Sequence, residues 1–243
     1  MTNYVLVHGT WTGGFQWKKV ATRLRAAGHE VYTPTLTGLG ERSHLAHPEI
    51  DLDTHIQDIV NVLIFEDLHN VILAGHSYGG MVITGVAEQV PERLAHLVYM
   101  DAIVPHNEES VWALIAKVMP PGTVESLEQE VRTAGNGWYW PSPTKRSSGS
   151  DFPEGRPQPI KTMRQPLRIS NPAAVTLPRT FIYCTNNPPA FPFGPATALF
   201  AERAKTDGMR YCELPTSHAL YETMPDEVAT ILLEASALQH SLV

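Results

Sequence analysis

Val71-Ile72-Leu73-Ala74-Gly75-His76-Ser77-Tyr78-Gly79-Gly80-Met81-Val82-Ile83 is the stretch whose reading decides the fold. It opens on an apolar run rich in branched residues, passes through Gly75-His76-Ser77-Tyr78-Gly79, and continues as a second apolar segment with helical spacing. A strand that turns at Gly-x-Ser-x-Gly straight into a helix holds its serine on a sharp turn, with the hydroxyl lifted clear of the sheet edge. Glycines two residues to either side suit such a turn, because neighbouring backbone comes too close for a β-carbon. Ser77 is therefore the candidate nucleophile. The plainer reading of the string is a glycine-rich turn before a helix.

Upstream, residues 3–7 read as a short buried strand that runs into His8-Gly9-Thr10-Trp11-Thr12-Gly13-Gly14. A glycine-rich turn after a parallel strand exposes backbone N–H groups, and one just beyond His8-Gly9 is placed to meet a carbonyl oxygen that gains charge during attack. Thr10 is the candidate for that donor, and Tyr78, the residue after the nucleophile, is its candidate partner. Residues 17–27 have helical periodicity and stop at Gly28, residues 29–33 read as a second strand ended by Pro34, and residues 35–49 read as a loop. Ile56, Ile59, Val60, Leu63 and Ile64 form a helical stripe over residues 51–66, with acidic residues at its start. Residues 81–89 are the helix after the serine, and residues 94–100 are a strand that delivers Asp101 at its carboxyl end. This alternation predicts an α/β fold with a mostly parallel sheet flanked by helices, whose ligands bind beyond the carboxyl ends of the strands.

The alternation breaks between residues 105 and 178. Two helical segments, at about 109–118 and 124–133, precede a run that contains Pro141, Pro143, Pro153, Pro157, Pro159, Pro166 and Pro172, a density that excludes long helices and central strands. An insertion of this length inside an α/β domain reads as a cap. Residues 1–243 are thus expected to form one domain with a cap at about 105–178. Trp11, Trp112, Trp138 and Trp140 are candidate substrate-binding residues; packing the cap against the body is the other use for such aromatics. Ser147-Ser148-Gly149-Ser150 reads as a loop tip. Arg164 and Arg168, at i and i+4, either meet an acidic ester or form a solvated face. Residues 179–185 restore a strand, residues 196–206 a helix and residues 209–214 the last strand, with His218 in the turn after it and a closing helix at 225–238.

Composition narrows the function. With 18 Lys and Arg against 25 Asp and Glu, the net charge of −7 argues against a nucleic-acid partner, which needs a basic face. No window approaches the length of an apolar membrane span and no leader pattern opens the chain, so no membrane is expected and the protein is expected to be cytoplasmic. Cys184 and Cys212 make neither a disulfide framework nor a metal-ligand set, and both fall on predicted strands. A hydrophobic fraction of 43% allows a large core.

A serine hydroxyl needs a base to take its proton as it attacks. Of eleven histidines, only His8, His76 and His218 fall at carboxyl ends of predicted strands, and His76 lies inside the turn, where its side chain is expected to point away. His218 is the candidate base. His8-Gly9-Thr10-Trp11, Gly75-His76-Ser77-Tyr78-Gly79-Gly80, Tyr99-Met100-Asp101-Ala102-Ile103-Val104-Pro105 and the late His218 together resemble the α/β-hydrolase superfamily across almost the whole chain. Within it they resemble the branch of plant methyl esterases and hydroxynitrile lyases, together with small bacterial esterases. The resemblance implies a serine carboxylesterase acting on a small or medium apolar ester, with Ser77 attacking, His218 carrying the proton and the Thr10 and Tyr78 amides holding the oxyanion. It implies no cofactor and no metal, and it leaves a homodimer open.

The departure from that branch is the acid. Its aspartate follows the strand that here reads Thr180-Phe181-Ile182-Tyr183-Cys184-Thr185, and the position falls on Asn186 or Asn187. An amide carries no charge to stabilise an imidazolium. Asp101 stands at the end of the preceding strand, from which some members of the superfamily, certain haloalkane dehalogenases among them, supply their acid, and it is the candidate here. Dehalogenation itself is disfavoured because that chemistry uses an aspartate where this chain has Ser77. Hydroxynitrile lyases of the branch place a threonine and a lysine where this chain has Gly9 and Ala219, which disfavours cyanohydrin cleavage. A noncatalytic small-molecule binder of the same fold is the reading from another class.

Overall fold

The computed structural model describes residues 1–142, 155–188 and 191–240. The Ser147–Ser150 stretch lies outside them. In chain order the first half holds β1 (Asn3–Val7), α1 (Lys18–Ala26), β2 (Glu30–Tyr32), α2 (Leu52–Phe65), β3 (Val71–His76), α3 (Gly79–Gln89) and β4 (Leu94–Met100). The second half holds α4 (Val111–Val118), α5 (Thr123–Thr133), β5 (Tyr139–Trp140), β6 (Gln158–Pro159), α6 (Lys161–Arg164), α7 (Pro172–Val175), β7 (Arg179–Cys184), α8 (Gly194–Thr206), β8 (Arg210–Leu214), α9 (Leu220–Thr223) and α10 (Pro225–His240).

Six strands form one sheet in the order β2-β1-β3-β4-β7-β8, and every pair is parallel. Parallel strands covered on both faces read as continuous apolar runs, as β3 does: all six of its residues are buried. Alternate residues feed two cores. Val5, Val7, Leu73 and Phe181 pack with α2, α3 and α8 on one face, while Tyr4, Leu6, Ile72 and Ile182 pack with α1 and α10 on the other. The chain starts at β1, steps outward to β2 and then crosses back to β3, so the crevice between β1 and β3 is the switch point where an open α/β sheet binds its ligand.

Local chemistry sets several boundaries. α2 starts in a capping box, with the Asp51 carboxylate accepting from Thr54 N at 2.9 Å and the Thr54 hydroxyl accepting from Asp51 N at 3.4 Å. α1 ends just before Gly28, whose φ of +86° takes the left-handed conformation that glycine adopts freely. α3 begins at Gly79, two residues ahead of the expected start at Met81, because the turn at Ser77 passes straight into it. The loop over 35–49 contains a 3-10 turn at Gly40–Leu45. Within the insertion the two expected helices are present as α4 and α5, and the proline-rich part forms short α6 and α7 with an antiparallel pair of two-residue strands, β5 and β6, that sequence reasoning did not anticipate. Among the described residues no helix is long and apolar enough to cross a membrane.

The insertion is rooted by Glu109, which is 8% exposed. Its carboxylate accepts from His106 N at 2.8 Å, from Lys117, and from Arg203, whose guanidinium also donates to Val104 O at 2.9 Å. Burial alone would raise the pKa of this carboxyl, but the two cations and the backbone amide outweigh it and hold the value at about 2. A depressed folded pKa gives stability that is present above the unfolded value and lost as pH falls towards the folded one. We therefore expect urea titrations of the wild type to lose about 3 kcal/mol between roughly pH 4.5 and pH 2 that Glu109→Gln does not lose. Parallel pH curves for the two proteins would remove Glu109 from this role.

Candidate active site

Ser77 ends β3 with φ +54°, a left-handed conformation that is costly for a residue with a β-carbon. The surrounding backbone holds it there. Ser77 N donates to Met100 O at 3.3 Å, and Ser77 O accepts from Gly80 N at 3.1 Å and Ile103 N at 3.0 Å. A β-carbon on Gly80 would lie 2.0 Å from Ile103 O, and one on Gly79 would lie 2.8 Å from Val7 O, so both positions admit only glycine. Tyr78 follows Ser77 at the N-terminus of α3, where backbone amides face outward without a helical partner.

Asp101 leaves β4 with φ +45° and a fully buried side chain. Its Oδ2 lies 2.6 Å from His218 Nδ1, and its Oδ1 accepts from Cys184 N at 3.3 Å. The imidazole is thereby oriented through Nδ1, which leaves Nε2 free of that contact. Burial, with Asp101 beside it, pushes the Cys184 thiol up, so the carboxylate has a neutral sulfur for a neighbour. Asn187, one of the two residues at the position expected for an acid, holds His218 differently: its Oδ1 accepts from His218 N at 2.6 Å and its Nδ2 donates to Cys184 O at 3.3 Å. It grips the main chain of His218 while Asp101 grips the ring. Asn186 is exposed.

His76 corrects an expectation. Its side chain does not point away from the site but packs against His218, with ring centroids 4.5 Å apart. His76 Nε2 lies 2.8 Å from the His218 carbonyl, which can only accept, so the proton sits on Nε2 and Nδ1 accepts from Gln16 Nε2 at 3.5 Å. Burial, reinforced by the charge of His218, holds its pKa well below the usual imidazole value and keeps it neutral. The signal that could have found it was its place in the turn, one residue before Ser77.

Thr10 lies in the loop after β1, and its N–H shares a trans peptide with Gly9 O. That oxygen accepts from His8 Nδ1 at 2.8 Å, which aims the Thr10 N–H to the opposite side. His8 Nε2 accepts from Leu36 N at 3.0 Å, and burial lowers the His8 pKa to about 3, so the ring is a fixed neutral strut.

Ser77, Thr10, Tyr78, Asp101 and His218 all line one cavity of about 60 Å³, walled by buried apolar side chains that include Ile103, Leu114, Ile115, Met163 and Phe200. An outer cavity of about 560 Å³ shares Thr10, Ser77, Trp140, Phe193 and His218 with it and adds Trp11, Phe191, Leu127, Glu130 and Tyr221. Trp140 therefore stands at the junction and Trp11 on the outer wall, 4.3 Å from it ring to ring. Trp112 and Trp138 line neither cavity. The Trp112 indole N–H donates to Glu128 Oε1 at 2.8 Å and Trp138 stacks edge-on with Tyr139, so both pack the insertion itself. Arg164 pairs with the same Glu128. Sequence reasoning missed Phe191 and Phe193, although two phenylalanines in Phe191-Pro192-Phe193, shortly after a strand end, were a legible sign of apolar side chains beside the site.

Known proteins resemble this chain in sequence and in fold. The chain is 36% identical over 239 residues to a carbendazim hydrolyzing esterase of Nocardioides sp. (strain SG-4G), covering 94% of this chain and 97% of that one. It is 30% identical over 110 residues to Methylesterase 1 of Arabidopsis thaliana, covering 44% of this chain and 42% of that one. An extracellular alpha/beta-hydrolase from a Paenibacillus species superposes with a TM-score of 0.76 at 25% identity, over 97% of this chain and 99% of that one. The model of the alpha/beta hydrolase family matches residues 4–231, which hold all of the sheet but Asn3, the first residue of β1, and the chain belongs to that family.

Proposed function

We propose that the protein is a serine carboxylesterase whose acid is Asp101. Ser77 Oγ attacks the ester carbonyl as His218 Nε2 takes its proton, the Thr10 and Tyr78 N–H groups form an oxyanion hole, and the alcohol leaves with the proton that His218 returns. Water, activated by the same imidazole, then releases the acid from the acyl-enzyme. The observation that carries this reading is the 2.6 Å contact from the buried Asp101 carboxylate to His218 Nδ1, which supplies the charge that Asn187 cannot. In the substrate complex Ser77 Oγ would donate to His218 Nε2, a bond of the kind that such sites tighten on binding substrate.

The two cavities support a substrate of unequal halves. At about 15 Å³ of cavity per small group, the inner cavity admits a chain of about four heavy atoms, while the outer one suits a flat aromatic group against Trp11, Trp140 and Phe191. Because the alcohol leaves first and water must follow it in, the short acyl part is assigned to the inner cavity, beneath the cap. We expect kcat/KM on p-nitrophenyl esters to be highest from acetate to butyrate and to fall at least about tenfold by octanoate. A flat or rising profile with chain length would reverse the assignment. Carbendazim belongs in the same panel, since a relative 36% identical is named for hydrolysing it.

A further inference from the structure

We propose that Gln158, a cap residue, is a positioning residue for the oxyanion loop. The inference rests on the serine esterase reading above. Gln158 is wholly buried, a state that is costly for a primary amide unless both its ends are bonded. Its Nε2 donates to Thr162 Oγ1 at 2.8 Å, and its Oε1 accepts from Trp11 N at 3.4 Å. Because the Thr162 hydroxyl is committed as a donor to Pro159 O at 2.6 Å, it can only accept from Gln158. The amide oxygen is therefore left to face Trp11.

Trp11 directly follows Thr10, and it needs holding. Its φ of +62° lies in the left-handed region, which a bulky side chain enters only under constraint. The constraint comes from the cap. Besides the Gln158 contact, Trp11 O accepts from Arg156 N at 2.8 Å and the Trp11 indole N–H donates to Trp140 O at 3.4 Å. The Gly9 carbonyl fixes the peptide before Thr10, and Gln158 fixes the peptide after it. Two neighbouring peptide planes pinned in this way leave the Thr10 N–H one direction in which to point.

Gln158 also reaches the second donor. Thr162, to which its amide is bonded, lies against the hydroxyl of Tyr78, and that hydroxyl bonds His55 Nδ1 at 2.9 Å. His55 Nε2 lies 2.9 Å from Thr37 O and so carries the ring proton, which makes Tyr78 the donor to Nδ1. One buried amide thus stands between the loop that carries one oxyanion donor and the side chain of the residue that carries the other. A displacement of reacting groups by about 1 Å can lower the rate by about two orders of magnitude, so a device of this kind acts on turnover rather than on substrate affinity.

The test compares two cap tethers. Gln158→Met keeps the volume and removes the acceptor; Gln165→Met removes a bond of similar kind, from Leu52 N at 2.8 Å, that does not touch the loop. With a p-nitrophenyl ester as substrate and an alkyl boronic acid as a mimic of the tetrahedral state, Gln158→Met is expected to lower kcat about 10- to 100-fold with KM within about twofold, and to raise the boronic acid inhibition constant in proportion. Gln165→Met is expected to stay within about threefold on all three. The proposal fails if Gln158→Met keeps kcat within about threefold, or if Gln165→Met loses as much, which would mean general loosening of the cap. If Gln158→Met does not fold, Thr162→Val, which frees the amide to turn, carries the test: a fall in kcat of about threefold or more at constant KM supports the proposal and unchanged kcat overturns it. A wild type that cleaves no ester refutes the esterase reading itself, whereas an active wild type with an unaffected Gln158→Met refutes only the positioning role.

Discussion

Asp101→Asn is expected to lower kcat on a p-nitrophenyl ester by about four orders of magnitude while leaving KM and the fold nearly unchanged. The amide can still meet His218 Nδ1, but it can bond the wrong tautomer and it brings no negative charge to the imidazolium that forms as Ser77 attacks. Burial magnifies the effect, since the side chain of Asp101 is fully excluded from water and no solvent replaces the lost charge. A further arm tests Asn187, one of the two residues where an acid was expected. Asn187→Asp in the Asp101→Asn background is expected to restore little, because the Asn187 oxygen is aimed at the His218 main-chain amide and its nitrogen at Cys184 O, an arrangement a carboxylate at that place would break. Near-normal turnover of Asp101→Asn would show that Asp101 is not the acid, whereas full rescue by Asn187→Asp would show only that the later position can also host one.

Ser77→Ala carries the largest expected loss, about six orders of magnitude in kcat. Removal of the nucleophile leaves only binding and whatever stabilisation the two amides offer to a direct attack by water. A fluorophosphonate probe gives a second readout that is independent of substrate choice: the wild type is expected to take up one label per chain and Ser77→Ala none, as measured by intact-protein mass. The alanine keeps a β-carbon, so it meets the same backbone strain as serine, and the comparison isolates the hydroxyl. Labelling of the alanine variant would place the nucleophile elsewhere in the chain.

Some of this was legible in the sequence and some was not, for identifiable reasons. The strand and helix alternation could be read because buried parallel strands and amphipathic helices leave periodic traces, as in β3 and α2. Ser77 and His218 were assigned from a turn motif and chain order, and Asp101 from an asparagine at the expected place; the structure brings the three to one cavity. What failed depended on contacts between distant segments. Trp112 looked like a substrate residue because nothing in the sequence reveals that Glu128, sixteen positions on, accepts from its indole. His76 looked like a bystander because its partner, the His218 carbonyl, is 142 positions away. Gln158 was invisible: a single glutamine in a proline-rich run carries no local mark of being wholly buried.

Trp11, Ser77 and Asp101 all have left-handed backbone and stand at the candidate site, a conformation that is costly for Trp and Ser and milder for Asp. Glycine at any of them would relieve the strain, so the substitutions that cost the chain least in folding lie where they would cost it most in turnover. Selection for heat resistance alone would drift towards an inert protein of the same shape. A library screened for durability therefore needs an activity filter at every round, and these three residues are the ones to shield from randomisation.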